Sequence, residues 1–401
     1  MKIGKRSSIV MTAVSILVLM MFSSGIVASD GNPQYYPVPA SKQLSIKELA
    51  HPPYVWNGNW EPFGLEGKTV ESIVTTQRYI YAGTYNDGLF RKELNNQSSI
   101  WQYIGFGGEQ KINCVHVIDL APLPDIIYVG LDVCGILDEY GEPHSLYKSM
   151  DGGITWYPCD DGLVTVDDYN GDVYRAPIFS INAIPDIDSE NTVLYAGSIA
   201  HIFKSTNDGQ SWSLIWGGGM AGMGIHVITI DPSDPQTVWA GGETGIFVPI
   251  ILKSTDGGNT WNIVTPPYLG DNSCYSIVIH PQNSDIVYAG MEGRLAKTTD
   301  GGETWDFILS PPEYPYFKGL LLDPLNPSHI FAGGGANVPN EPLRVWGTGG
   351  HGWSCSVEED ASDVLTLAFD PNDHNIFYAG TLSDGVWICH STWSPPYAYL
   401  K

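Results

Sequence analysis

The chain has 401 residues, 43% of them apolar and 16% charged, with 44 acidic against 19 basic side chains and a formal charge of −25. That apolar fraction is enough for a packed core and argues against a disordered chain. An acidic balance this large repels phosphate backbones, which argues against nucleic acid as a partner, and it favours solubility and cationic surfaces.

Lys2, Lys5 and Arg6 precede an apolar run from Ile9 to Phe22, and Val27-Ala28-Ser29 supply small residues after it. This order predicts a secretory signal peptide over residues 1–29. The run is short for a spanning helix and Ser15 interrupts it, so cleavage is favoured over a retained anchor. No Cys lies near the cleavage site, which argues against a lipid-anchored form, and no later stretch is long and apolar enough to span a bilayer. The expected location is secreted, extracellular or at the cell surface. Loss of the three cations would take the charge from −25 to −28. The six cysteines (Cys114, Cys134, Cys159, Cys274, Cys355 and Cys389) all fall in the mature part. An even count in an oxidising compartment permits up to about three disulfides, and free buried thiols are the alternative. None forms a C-x-x-C, so zinc and thioredoxin-like sites are not indicated.

A Pro-rich lead-in (residues 30–55) precedes a repeat that fills residues 56–401. An aromatic-Ala/Val-Gly landmark ends a β-rich run seven times, at Gly83, Gly130, Gly197, Gly241, Gly290, Gly333 and Gly380. The intervals are 47, 67, 44, 49, 43 and 47 residues. Before each landmark lies an apolar strand ending in a turn such as Asp231-Pro232 or Asp370-Pro371; after the middle ones come a third strand, a tight turn and a fourth strand opening with Trp. Four short strands per unit at this period predict an all-β, seven-bladed β-propeller. The seventh unit lacks a fourth strand, and residues 56–67 resemble the fourth strand of other units. The N-terminal strand is therefore expected to close the ring by pairing with the last blade, which removes two exposed edges.

The tight turns share a motif. Lys253-Ser254-Thr255-Asp256-Gly257-Gly258-Asn259-Thr260-Trp261 sets the pattern; Asp151 with Trp156, Asn207 with Trp212, and Asp300 with Trp305 repeat it. Paired glycines supply positive φ, the Asp or Asn holds turn amides, and the Trp starts a strand while burying a large ring. The pattern S-x-D-x-G-x-T-W resembles the Asp-box, or bacterial neuraminidase repeat, of sialidase-like and sortilin-like propellers. The resemblance covers nearly the whole mature length and implies fold more than function. Residues 94–101 and 346–353 keep only the Trp and part of the spacing.

Such a fold places the repeated turns on one rim and the more variable loops on the other. Three insertions mark that second rim: residues 131–144 with Asp132, Asp138, Glu139 and Tyr140; residues 160–175 with Asp168, Tyr174 and Arg175; residues 334–344 with Glu341 and Arg344. Shorter loops add Glu243, Arg294, Tyr314, Tyr316 and Lys318. Carboxylates mixed with Tyr suit a glycan, or an extracellular protein partner. The leading expectation is a binding propeller; the alternative is a carbohydrate-active enzyme, a sialidase-like or xyloglucanase-like glycoside hydrolase or a polysaccharide lyase.

Tyr174-Arg175-Ala176-Pro177 resembles the sialidase Arg-Ile-Pro motif, which implies that Arg175 would hold a substrate carboxylate, with Arg294 and Arg344 completing a triad. The motif stands in the third blade rather than the first. Xyloglucanases of this class pair two propellers around a cleft, whereas one is encoded here; Asp87 is the nearest equivalent of a catalytic Asp, and a β-turn explains it better. No dedicated cofactor or metal site is read. Residues 166–171 fail as an EF-hand because Val166 and Pro177 would fill its end positions, although the acidic loop could hold Ca²⁺ loosely. His280 takes a turn slot, and His116 and His226 read as structural.

Overall fold

The computed structural model describes residues 55–394, apart from 97, 109, 134–142, 167–171, 186–190, 218–223, 245–247, 267–272, 336–340 and 351. The chain divides into two units, Met1–His51 and Pro52–Lys401. The expected signal peptide and nearly all of the lead-in therefore lie outside the described residues, as do Cys134, Asp138, Glu139, Tyr140 and Asp168.

The second unit is a seven-bladed β-propeller: seven four-stranded antiparallel sheets whose first strands pack against one another in cyclic order. Blades 1 to 6 begin with the strands Val70–Thr75, Ile112–Ile118, Ser180–Pro185, Gly224–Ile230, Cys274–Ile279 and Tyr316–Leu322, and each continues outward in chain order. Blade 7 contributes Val364–Asp370, Asp373–Thr381 and Val386–Ser394, and its outer strand is Val55–Gly64 from the start of the ring. That strand pairs antiparallel with the last one, Trp56 opposite Trp393 and Trp60 opposite Cys389, as the sequence predicts. A separate two-stranded hairpin, Val164–Val166 with Val173–Arg175, precedes blade 3.

The landmark glycines sit where blades come closest. A Cβ on Gly290 would stand 2.5 Å from the Phe317 carbonyl oxygen of blade 6, and one on Gly197 2.7 Å from that of Ile225 in blade 4. Only a residue without a side chain lets the next inner strand approach so far. Polar bonds then tie inner strands together: Val115 N–H donates to Ser72 Oγ, Ile228 N–H to Ser180 Oγ, and Ser276 Oγ–H to the Phe317 carbonyl.

The four repeated turns have one design. The Ser or Thr hydroxyl accepts the second Gly amide, at 2.8 Å in Gly153 to Ser149 and 2.9 Å in Gly302 to Thr298. The same hydroxyl donates to the Asp or Asn oxygen, as Ser254 does to Asp256 at 2.8 Å. The carboxylate next accepts the Thr amide and hydroxyl, as Asp151 does from Thr155 at 2.9 and 2.6 Å. In the third copy Asn207 reverses the last bond and donates to Ser211. These bonds hold the carboxyls of Asp151 and Asp300 down to about 2, the Thr155 and Thr304 hydroxyls being the first cause. Each Trp that follows reaches back one blade. Trp156, Trp212 and Trp305 donate their indole N–H to the carbonyls of Ile104, Cys159 and Val264, whereas the N–H of Trp261 has no partner among the described residues.

The five described cysteines are free thiols. Burial pushes Cys114 and Cys274 up to about 12, so they behave as packing groups.

Candidate functional site

The first strand of every blade runs from the variable rim toward the rim of repeated turns, so residues at its start ring the mouth of the central channel. The structure gathers an aromatic row there from four blades. Phe179 lies 5.8 Å from His226 between ring centroids, His226 5.5 Å from Tyr275, and Tyr275 5.7 Å from Tyr316, all mutually tilted. Lys318, on the strand that begins with Tyr316, places its Nζ 6.0 Å from the Tyr275 ring centroid.

Acids flank this row. Glu243 ends the second strand of blade 4, with Oε1 3.6 Å from His226 Nε2, and its carboxylate accepts the Ser273 hydroxyl. Burial opposes ionisation of Glu243, but the nearby His226 ring and the bond from Ser273 outweigh it and keep the carboxyl below its ordinary range. Glu292, in the hairpin of blade 5, bonds Ser273 through its backbone N–H at 3.3 Å and accepts the Tyr316 hydroxyl. Burial first, and the nearby acids second, push the Tyr275 and Tyr316 phenols upward, though Ser273 partly offsets this at Tyr275. Burial lowers Lys318, and the field of Glu71 counters it. Toward blades 1 and 2 the mouth is charged: Lys111 Nζ lies 3.8 Å from both Glu71 and Asp132.

The arrangement offers ring faces, an ionised acceptor in Glu243, phenol donors and an ammonium. It is suited to holding hydroxyl-rich or amide-rich ligands. It is poorly suited to Tyr-base chemistry, because both phenols stay protonated at neutral pH.

Of the residues expected from sequence, Asp132, Tyr316 and Lys318 reach the mouth, and Glu243 is central to it. Tyr314 is 46% exposed, adopts φ 55°, and lays its ring over Gly293 in blade 5. The three arginines are each held locally. Arg175 is buried, donating Nε to the Pro143 carbonyl at 3.0 Å and Nη1 to that of Asp160 at 2.5 Å, with the Asp160 carboxylate 3.3 Å away. Arg294 stacks on Phe307 of an outer strand at 4.9 Å, and Arg344 pairs with Glu341 at 2.9 Å. Tyr174 sits in the small hairpin opposite Thr165. A sialidase-type carboxylate clamp needs free guanidinium groups aimed at one point, and the buried, bonded Arg175 does not offer one. His226 stands within the aromatic row, and His116 fits the structural role expected of it, burial lowering it to about 4. His280 also fits, accepting the Gln282 amide within its turn. Asp87 is a turn residue paired with Lys68 at 2.7 Å. Tyr275 and Phe179 were not legible as site residues. Each lies at the start of a first strand, and that common position was the available signal.

No family model matches the chain, and no curated protein does. Among solved structures it is similar to a GH74 enzyme from Niastella koreensis (19% identity, TM-score 0.58, covering 83% of this chain and 55% of that one). It is likewise similar to the GH74 xyloglucanase from Xanthomonas campestris (18%, TM-score 0.58, 82% and 53%). The chain thus spans about half the length of these two enzymes. YCF48 bound to D1 peptide matches at 14% identity and TM-score 0.56, over 84% of this chain and 96% of that one. At such identities the likeness speaks for fold, and the class of protein is a seven-bladed β-propeller. No helix among the described residues is long and apolar enough to cross a membrane.

Proposed function

We propose that this is a secreted or cell-surface binding propeller of the Asp-box type that recognises a glycan at its channel mouth. The observation that carries the reading is the row Phe179, His226, Tyr275 and Tyr316, spaced 5.5–5.8 Å apart with Glu243 and Glu292 beside it. Sugars present C–H faces to rings and hydroxyls to carboxylates, so a row of rings edged by acids suits successive parts of one saccharide. The likeness to GH74 enzymes supports a carbohydrate ligand. Residues 1–29, as a signal peptide, would carry the chain to such ligands.

A carbohydrate-active enzyme is the second reading, favoured by the two carboxylates that flank Tyr275. Glycoside hydrolysis needs one carboxyl kept protonated as the acid. Glu243, held ionised, can supply only the base or nucleophile of such a pair. A peptide partner is a third reading, supported by the end-to-end likeness to YCF48 with its D1 peptide.

The test is retention and turnover of neutral, uronic and sialylated glycans by the chain from Asp30 onward. Retention of one glycan without turnover, lost in Tyr275→Ala and in His226→Ala, is the expected result. Release of reducing ends, unsaturated uronate or sialic acid would replace the binding reading with an enzymatic one. Retention of none would shift the search to peptides.

A further inference from the structure

Glu243 and Glu292 belong to neighbouring blades, and a single residue brings them together. The Ser273 hydroxyl donates to the Glu243 carboxylate, and the Ser273 carbonyl accepts the Glu292 N–H at 3.3 Å. Glu243 Oε1 stands 3.6 Å from His226 Nε2, and the Glu292 carboxylate accepts the Tyr316 hydroxyl. Burial is the first cause that raises the Tyr275 phenol; the Ser273 bond partly offsets it, and the fields of Glu292 and Glu243 both add to it. Two carboxylates therefore bear on one ring.

The rings do not use up one another's faces. Neighbours in the row are tilted by 40°, 33° and 56°, so none lies flat on the next. Tyr275 has an ammonium of the chain itself at the outer limit of a cation–π contact, Lys318 Nζ at 6.0 Å. That lysine belongs to the charged side of the mouth. Burial lowers it first, and Glu71, Lys111 and Asp363 act on it as well, while Lys111 lies 3.8 Å from both Glu71 and Asp132. On the aromatic side Glu243 is met by a hydroxyl and an imidazole.

Resting on the reading of this mouth as a glycan site, we propose that the sugar it selects is an amino sugar, whose ammonium lies beside the Glu243 carboxylate and against the rings of Phe179, His226 and Tyr275. Ring faces attract a cation through their quadrupole, and an ionised carboxylate gives it a charge-assisted bond. The C–H face of the same sugar packs on the rest of the row. Uronic and sialic acids would set a carboxylate against Glu243 and Glu292, and like charges in contact are disfavoured. The formal charge of −25 draws cationic ligands toward the chain as a whole.

The test is calorimetry on the chain from Asp30 onward with hexamers of glucosamine, N-acetylglucosamine and glucose joined by the same linkage. The glucosamine hexamer is expected to bind about tenfold tighter than either neutral one at about pH 6, and to lose that advantage by about pH 9 as its amines deprotonate. The neutral hexamers, measured at both pH values, account for any titration of His226 or Lys318. Glu243→Gln should abolish the preference and leave the neutral hexamers unchanged. Glu303→Gln makes the same charge change at an exposed position in a repeated turn on the other rim, and should keep the preference. Equal or tighter binding of a neutral hexamer would overturn the amino-sugar inference and leave the glycan reading standing. A preference that persists at the higher pH would overturn it too, and so would a full preference in Glu243→Gln. Equal binding of pentalysine, or equal loss in Glu303→Gln, would place the attraction in the acidic surface at large and overturn it. Binding of no hexamer would also overturn it, and the panel of neutral, uronic and sialylated glycans would then decide the broader reading by itself.

Discussion

Two parts of the ring hold together by different means. Blades 2 to 5 each carry the full repeated turn, and their junctions are bolted through the backbone: the Trp N–H groups of blades 2, 3 and 5 reach backward, and Lys or Arg groups reach forward. Blades 6 and 7 lack that turn. Their outer strands, Trp353–Ser362 and Val55–Gly64, are instead the two long ones at 10 residues each. Between them Trp56 meets Phe331 edge-on at 5.3 Å and Trp60 meets Phe377 at 5.5 Å. The Trp56 indole donates to Ser391 at 2.9 Å, across 335 positions of sequence, and the Trp60 indole donates to Ser356 at 3.1 Å. Where a short motif can bring its own polar partners, a junction is latched by hydrogen bonds. Where the ring must be closed by a distant strand, packing of large rings is added to such bonds, because apolar burial needs no short local motif.

The contrast can be broken most forcefully at the closure. Trp56 is 1% exposed, and Trp56→Ala should cost about 3–5 kcal/mol. Trp156→Ala, at a half-buried bolt, should cost clearly less when both are measured by denaturant unfolding. Next come the close approaches. Gly290→Ala would meet the Phe317 backbone oxygen, which cannot rotate away, so a loss of about 1–3 kcal/mol is expected. Gly333→Ala would meet Val364 and Leu367 side chains, which can shift, and its smaller loss in the same assay would sharpen the distinction. Third, Lys204→Met should cost on the order of 1 kcal/mol through its lost bond to Gly257, and Lys297→Met, which among the described residues gives up only its contact over the Tyr288 ring at 5.3 Å, less. Equal losses for the two lysines would mean that their packing over Tyr rings, and not the carbonyl bond, is what stabilises each junction.

The smallest effect is titrimetric. Asp151 and Asp300 have folded values of about 2, below the unfolded value of about 3.9. Their contribution is therefore fully present above about pH 4 and is lost as pH falls through about 2. Replacing Asp151, Asp256 and Asp300 together by Asn, the residue blade 3 already uses at 207, should flatten the melting-temperature profile over that window. A profile unchanged from the parent would place the acid sensitivity elsewhere, for example in the buried Asp125 or Asp370 that hold Tyr81 and Tyr378.

Blade number, strand order, the four turns and the closing strand were legible in the sequence, because each is written in contiguous residues that recur at a steady interval. The Ser149, Asp151, Gly153 and Thr155 bonds close within one turn, so the motif alone specifies them. What the tertiary structure decided is everything that crosses from one blade to another. A lysine two places before each turn gives no sign that its acceptor lies in the following repeat. A landmark glycine does not say that the next inner strand fills its missing side chain. The arginines at 175, 294 and 344 resemble a triad on paper but are held by Asp160, Phe307 and Glu341, the nearest partner winning over the distant one. Phe179, His226, Tyr275 and Tyr316 are separated by roughly one repeat each and become neighbours only because ring closure brings the starts of four inner strands to one mouth.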